Sequence, residues 1–472
     1  PGDPVALDRL ARRAPASGVM TDTTSSYSLD RAVIITGDLL IGGTPLTLLR
    51  LTEAGRDTVE RPRNGLPVAE GPLLDRLLDT GMVTRHVGPP PREEPSLVVV
   101  TPTIGTPRHP PAPGTVLVDD GSEPPVAEAT IRSERNRGPA AARNLGWRRV
   151  IDENPAVEFI AFVDADVDTG DERWWAPLMA HFDDPRVGMV APRIRAGEDG
   201  EGMTVTAERT APALDLGPHG GRVSAGARVS YVPSAAVVVR ASALTAVDGY
   251  DEDLRTGEDV DLVWRLRDHG WLVVYDPSTE LTHEARASAG DWLRQRIGYG
   301  RSSAGLAARH GDAVAPWRTS RWGLAVIVAL LWSLSSRRPR LLGPAAVIGG
   351  AVGAPGLILS RQVDGLDPLR ATRVVGLGLA RSTTAALAAV RRAWWPLLIP
   401  LIPLSRTARR VAVLAAVGAH HPARLAADLA HGAGVVLGAI DRGSPRALLP
   451  VVSSGRLTHR ESTSGASPAT SD

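Results

Sequence analysis

The sequence predicts an α/β protein: a mainly parallel sheet in the centre of the chain, a small domain before it, and an apolar, Arg-rich helical region after it. Three observations lead there. Short apolar runs recur through the middle of the chain at Leu97–Val100, Thr115–Val118, Phe159–Val163, Val187–Pro192 and Ala235–Arg240, each suited to one buried strand. Segments of helical composition alternate with them, which is the pattern of strands joined by crossover helices. The stretch Val157–Asp168 then stops its apolar run on Asp164-Ala165-Asp166. Carboxylates at the C-terminal end of a buried strand sit where open α/β sheets bind ligands.

A chain of 472 residues is too long for one small core, so two or three domains are expected. Formal net charge is only +1, but all 53 basic residues are Arg and they are unevenly placed. From residue 301 onward there are 21 Arg against 7 acidic residues. Such a basic half suits an anionic membrane surface or a nucleic acid. The accompanying apolar runs favour the membrane, and the absence of aromatic residues interleaved with basic ones argues against nucleic acid. Cys is absent, which excludes disulfides and thiolate metal sites. The chain opens Pro-Gly-Asp with no cleavable signal pattern.

Taken in order, residues 1–24 are rich in Pro, Ala, Ser and Thr and are expected to be mobile. Residues 25–92 read as a small winged-helix-like recognition domain. Arg31–Thr36 and Asp38–Ile41 are expected strands, Pro45–Ala54 and Leu73–Leu78 carry leucines at helical spacing, and Gly81–His86 closes the unit as a strand. The Pro-rich segment Gly88–Pro95 is a linker. Residues 93–300 hold the sheet. Its expected helices are Ala140–Val150, Trp174–His181, Ser242–Val247 and Val260–His269, its last strand is Trp271–Tyr275, and residues 193–230 are expected to be an irregular loop over the site. Residues 301–451 form the helical region. Trp322–Leu334 is too short to span a bilayer, and Leu341–Ser360 is long enough but carries Gly and Pro. Val374–Val390, Trp394–Leu404 and Val411–Ala419 are further apolar runs separated by Arg, and Trp394 and Trp395 beside Arg391 and Arg392 have the make-up of an interface anchor. Short, partly inserted helices lying on a membrane are expected, against the alternative of a soluble Ala/Leu-rich helical domain. Residues 452–472 are expected to be a disordered tail.

The chemistry-bearing residues cluster in the central domain. Asp119 and Asp120, in Asp-Asp-Gly-Ser at a strand end, can accept hydrogen bonds from a nucleobase or ribose, or can simply form a turn. Arg143, in Asn-Arg-Gly-Pro-Ala-Ala-Ala-Arg-Asn-Leu-Gly near a helix start, can meet a diphosphate, or be a surface Arg. Asp164 and Asp166 suit a hard divalent ion, Mg2+ or Mn2+, that keeps open positions for phosphate oxygens. Glu258 and Asp259 begin a helix, where acids also favour the macrodipole. Asp261 and Arg265 follow on that helix. Trp264 and Trp271 suit either core packing or a wall on which a sugar stacks.

Five motifs in this order, from the strand Leu97–Val100 through Asp-Asp-Gly-Ser, the Arg143 segment and Asp-Ala-Asp to Gly257–Leu266, resemble the GT-A family 2 glycosyltransferases across about Ser96–Arg296. The resemblance implies a metal-dependent inverting transferase that uses a nucleotide-diphosphate sugar, a UDP-sugar by expectation. Asp119, Asp120, Arg143 and Asp164 would bind the donor. Asp164, Asp166 and His283 would hold the metal, and Asp259, with Glu258 beside it, would be the catalytic base. Two departures stand out. The Pro-rich segment between Thr103 and Thr115 leaves no room for the helix that relatives place there. The processive Gln-x-x-Arg-Trp motif is missing, the nearest stretch being Arg294–Tyr299. A winged-helix-like N-domain, this catalytic domain and an Arg-rich apolar tail together resemble the glycosyltransferases of mycofactocin systems. That likeness implies β-1,4 transfer of glucose to a peptide-derived redox cofactor, at the cytoplasmic face of the plasma membrane. The alternatives are a cell-wall or lipid-linked glycan transferase and a non-catalytic peptide or sugar-nucleotide binding module.

Overall fold

The computed structural model of the chain describes residues 26–64, 66, 68, 70–89, 94–197, 202–284, 288–336, 342–362 and 366–453. The expected mobile start at 1–24 lies outside these residues, as does all of the expected tail beyond Ser453.

The N-terminal unit contains β1 (Ser26–Leu29), β2 (Ile34–Thr36), β3 (Leu39–Gly42), β4 (Thr47–Arg50), α1 (Glu53–Arg63), α2 (Pro72–Asp79) and β5 (Val83–His86). β1 pairs with β5, and β2-β3-β4 form an antiparallel meander. One expectation fails here: Pro45–Ala54 is not a helix but turn and strand, and α1 starts after it, capped by the Thr52 hydroxyl on the Gly55 amide at 3.2 Å. The meander is apolar on both faces, and that is why its leucines mimic helical spacing. Leu40 and Leu49 enter the domain's own core, whereas Leu39, Ile41 and Leu48 pack against Leu359 and Val374 of the C-terminal region.

The central domain follows as β6 (Leu97–Thr103), β7 (Val116–Asp120), β8 (Ile131–Ser133), α3 (Pro139–Glu153), β9 (Phe159–Val163), β10 (Val167–Asp168), β11 (Val187–Ala196), α4 (Met203–Thr210), β12 (Gly221–Arg222), β13 (Ala236–Arg240), α5 (Ala241–Ala246), α6 (Glu258–Asp268) and β14 (Leu272–His283). Its nine-stranded sheet has the order β10-β14-β11-β13-β9-β6-β7-β8, with β12 on the side of β14. β6, β7, β8, β9, β11 and β14 run in one direction, and β13 is inverted between β9 and β11. The fold class is therefore the mainly parallel α/β sheet read from the sequence. Strand alternation divides two cores: Ile160 and Phe162 face one side with Val100 and Leu262, and Phe159 and Ala161 face the other with Leu178 and Phe182. Trp174–His181 forms a 3-10 helix, Ala176–Asp183, in place of an α-helix. The segment 193–230 is less irregular than expected, since it contains the end of β11, α4 and β12. No helix forms between β6 and β7, in line with the Pro-rich reading.

The C-terminal region begins inside α7 (Ala289–His310), which runs through the boundary expected at residue 300. It continues through β15 (Arg318–Ser320), α8 (Arg321–Ser335), α9 (Leu342–Gln362), α10 (Pro368–Ala389), a π-helical turn at Val390–Trp394, α11 (Arg406–Val417), α12 (Pro422–Asp441) and β16 (Val451–Ser453). β16 pairs in parallel with β15 and ties the end of the described chain to the start of α8. α12 was not anticipated. It lies along α7 with backbones in contact: a Cβ added at Gly300 would collide with the His431 carbonyl, and one at Gly434 with that of Ile297. Among the described residues two helices are long and apolar enough to cross a membrane, Gly343–Gln362 and Pro422–Asp441. Side chains such as Val328, Trp332, Ile358, Leu397, Leu401, Leu404 and Val417 stay exposed on this region.

Candidate active site

The first pair of candidate residues lies at the carboxyl end of β7 and is built into the fold. Asp119 accepts from the Ser122 amide at 2.8 Å, the Val126 amide at 3.2 Å, the Ser122 hydroxyl and the Arg132 guanidinium. Asp120 accepts from the Arg137 amide at 2.9 Å and the Gly138 amide at 2.8 Å, so it holds the turn that launches α3. The turn needs Gly138, whose φ is +98°. Both carboxylates are at most 5% exposed. In this structure their oxygens are taken up by the turns that follow β7 and precede α3.

α3 approaches the sheet closely because Gly146 has no side chain; a Cβ there would overlap Val100. Two turns of this helix carry the polar centre of the site. Asn144 clamps the Gly249–Glu252 turn, donating to the Tyr250 carbonyl at 2.8 Å and accepting from its amide at 2.9 Å. Arg143, one residue earlier, is buried and reaches two distant carboxylates: Asp164 at 2.6 Å and Glu258 at 3.1 Å. The residue expected to meet a diphosphate is thus the link between the Asp-Ala-Asp strand end and the Gly-Glu-Asp helix start. Its guanidinium also stands over the Tyr250 ring, 5.4 Å from the centroid.

The surrounding acids are held away from their ordinary behaviour. Burial pushes Asp164 up to about 6; Arg143 pulls against this, and the Asp166 and Glu258 carboxylates add to it. Glu258 is pushed up to about 7, by burial first and then by adjacent Asp259, again against Arg143. Asp259 is raised as well, chiefly by burial, although the Val260 amide donates to it at 2.8 Å and opposes the shift. These groups share one field, so they titrate together rather than singly.

The expected metal ligands are brought together in part. β10 pairs with β14 so that Val167 faces His283, and this puts His283 Nε2 3.2 Å from Asp166 Oδ2. Asp164 is turned toward Arg143 instead. Among the described residues no group of three His, Asp or Glu side chains is already arranged to grip a metal, so the expected three-ligand set is not preformed. The donor chemistry nonetheless fits a hard divalent ion: Asp166, His283 and the second oxygen of Asp164 would hold it. Mg2+ and Mn2+ sites of this kind use few protein ligands and leave room for phosphate and water. Arg143 pairs with Asp164 and Glu258 while Asp166 faces His283, so a divalent ion at Asp164 and Asp166 would add positive charge to an acid-rich corner.

Asp259 faces a cavity of about 530 Å3. Tyr231, Trp264 and Leu306 wall it on the catalytic side, and Arg392 and Val435 on the side of the C-terminal helices. Trp264 packs into the core, being 8% exposed and donating to the Ser230 carbonyl at 2.8 Å, and it also lines the cavity. Trp271 packs against Gly188 and is not part of these walls. Asp261 and Arg265 do structural work: Asp261 accepts from Arg265 at 2.6 Å and from His310 of α7 at 2.8 Å, and Arg265 caps the Val247 and Gly249 carbonyls.

Sequence reasoning missed Arg108. In the loop that replaces the missing helix, its amide donates to the Ala165 carbonyl at 3.2 Å and its guanidinium pairs with Glu284, just after His283. This places a half-exposed cation beside the Asp-Ala-Asp segment. No spacing signal in the sequence points to it.

The family model described as glycosyl transferase family 2 matches residues 115–242. The chain is 35% identical over 418 residues to the pre-mycofactocin glycosyltransferase of Mycobacterium tuberculosis, covering 83% of this chain and 85% of that protein. It is 30% identical over 264 residues to the N-acetylglucosaminyl-diphospho-decaprenol L-rhamnosyltransferase of the same organism, covering 48% of this chain and 85% of that one. Among solved structures, a mannosyltransferase from Pyrobaculum calidifontis in complex with GDP-Man and Mn2+ aligns over 75% of this chain and 88% of its own, with 15% identity and a TM-score of 0.38.

Proposed function

The chain belongs to the family 2 glycosyltransferases, with the mycofactocin-associated enzymes as its relatives, and from that premise we propose that it transfers glucose from UDP-glucose, with inversion and through a β-1,4 link, to the peptide-derived redox cofactor mycofactocin or its precursor. The observation that carries the transferase part of this reading is Arg143 between Asp164 and Glu258, with neighbouring Asp259 lining the cavity; glucose, the β-1,4 link and the acceptor rest on the likeness to the pre-mycofactocin enzyme. Asp259 removes the proton from the acceptor hydroxyl as its oxygen attacks the anomeric carbon. The bond from that carbon to the diphosphate breaks on the opposite side, and the electron pair leaves with the diphosphate. One such displacement inverts configuration without a protein nucleophile. The Val260 amide holds the Asp259 carboxylate at 2.8 Å, and Arg143 works against the rise in proton affinity that burial gives it. When bound, Mg2+ or Mn2+ on Asp166, His283 and Asp164 supplies positive charge to the departing diphosphate. Arg108 stands where it can add to that charge.

The acceptor assignment is supported by the long match to the pre-mycofactocin enzyme, which includes both flanking regions, whereas the match to the decaprenol-linked rhamnosyltransferase covers about half of the chain. The exposed apolar side chains of the C-terminal region, set among Arg, support association with the cytoplasmic face of the plasma membrane.

The test is Asp259→Asn with UDP-glucose, Mn2+ and a panel of acceptors, read by mass spectrometry of products and by calorimetry of donor binding. Transfer should fall by about 10²–10⁴-fold, with donor affinity kept. Normal transfer in the variant sinks the base assignment. Products formed only on polyprenyl-linked glycans would favour the lipid-linked reading, and absence of any donor binding by the wild type would favour a non-catalytic module.

A further inference from the structure

The cavity beside Asp259 is closed by residues far along the chain from the sugar-nucleotide motifs. α12 contributes Ala427 and Val435, the end of α10 contributes Ala388 and Ala389, and the π-helical turn contributes Arg392. This wall is locked to the catalytic domain. The glycine seam fixes α12 on α7. The π-helical turn is held to α12 by Arg391 and Arg392 on buried Asp428, at 2.9 and 3.1 Å, and Trp395 Nε1 donates to the Leu429 carbonyl at 2.8 Å. A helix long and apolar enough for a membrane span is therefore committed to the active-site side of the protein.

We propose that the C-terminal helices form the acceptor-binding wall of this transferase, and that its acceptor is a compact molecule with an apolar body and a free hydroxyl, seated between Trp264 and Val435 with that hydroxyl at Asp259. The proposal rests on the transferase reading above and adds the acceptor site to it. Volume and lining set the class of molecule. About 530 Å3 is the size of a small-ligand pocket rather than of a channel for an extended polymer. Leu214, Val260, Leu306 and Ala389 give the walls apolar stretches beside the carboxylate of Asp259, with Arg296, Arg392 and Arg424 set among them. Acceptor choice is then made by α10, the π-helical turn and α12, which the donor motifs do not include.

Ala427→Trp and Ala388→Trp fill the cavity from two different helices, and both positions are only partly buried, so each can be read alone. The readouts are the KM for pre-mycofactocin, the KM for UDP-glucose, and hydrolysis of UDP-glucose without acceptor. The expected result is an acceptor KM raised about tenfold or more, with donor KM and donor hydrolysis unchanged. Ala427→Ser and Ala388→Ser should keep wild-type values. An unchanged acceptor KM in the folded Trp variants overturns the proposal, as does loss of donor hydrolysis in step with transfer, which would make the cavity part of the donor site. If a Trp variant fails to fold, Ser303→Leu on α7 enters the same cavity and is judged in the same way. A wild type that neither hydrolyses UDP-glucose nor transfers from it is a different outcome: it removes the transferase reading, and this proposal with it.

Discussion

Arg143 is the residue on which the site closes. Its two nitrogens reach Asp164 and Glu258, whose Cα positions come from β9 and α6, and its fork geometry serves both at once. Arg143→Ala would leave buried Glu258 and partly exposed Asp164 without their cation, and removing one partner of a buried pair costs about 3–5 kcal/mol, an upper bound here. Urea unfolding should show that loss, and Arg143→Lys should recover only part of it, because one ammonium cannot span both partners. The raised acids also give a signed pH dependence. A carboxyl whose folded pKa lies above its unfolded value contributes stability below the unfolded value, and that contribution is lost as pH rises through the folded one. For Asp164 and Glu258 the window runs from about pH 4 up to about 6 and 7. The metal-free protein should therefore lose thermal stability between pH 5 and about 7.5, Mn2+ should reduce that loss, and Glu258→Gln should flatten the slope. Activity should move the opposite way and rise with pH, because burial raises Asp259 and its carboxylate must be free to accept a proton. At the rim, Arg108→Ala should raise the donor KM and leave the acceptor KM unchanged. The acids were legible as a site because carboxylates at strand and helix ends are costly without a purpose. The role of Arg143 was not, because its position on a helix does not say how deep its guanidinium goes.

Secondary elements were read well where one face was buried or both faces were uniformly apolar, as in β9 and α3. Pro45–Ala54 was misread because β4 packs Leu49 into one core and Leu48 into another, so apolar residues occupy both phases of the strand. α12 was not anticipated, and its Gly residues are there to let two backbones meet. That close approach makes a prediction at this scale. Gly434→Ala places a Cβ against the Ile297 carbonyl, and helix backbones cannot yield as a side chain would. Displacement of α12 should appear as faster proteolysis within residues 422–441 and as a loss of about 1–3 kcal/mol in unfolding, the range for overpacked interiors. Ala substitution at Gly349, where nothing lies within reach of a new Cβ, should have little effect.

At the scale of the whole molecule, the N-terminal unit is fastened in two chemically different ways. Asp75 and Asp79 of α2 meet Arg186, Arg222 and Arg267 of the catalytic domain at 2.7–3.4 Å, while the outer face of β3 packs on α9 and α10. The C-terminal helices therefore touch both other units and cannot be an independent anchor. Their outward side carries Leu397, Leu401 and Leu404, at 50%, 50% and 83% exposure. Co-sedimentation with phosphatidylglycerol vesicles should show binding that weakens with salt, through Arg, and that drops in the triple variant Leu397→Ser, Leu401→Ser, Leu404→Ser. Binding equal to wild type in that variant would place the membrane contact elsewhere.

By itself the sequence determined the kind of sheet and set acids at its strand and helix ends, because strand burial and carboxylate placement are local properties. It also indicated an Arg-rich apolar region. Only the tertiary structure decided that Arg143 joins two of the acidic motifs, that Asp119 and Asp120 hold turns, and that the expected metal ligands are only partly assembled. It alone set α12 against α7 as a wall of the cavity. The contacts of Arg143 with Glu258, Asp166 with His283 and Gly300 with His431 join residues more than a hundred positions apart, and side-chain reach and backbone approach at such contacts leave no period in the sequence.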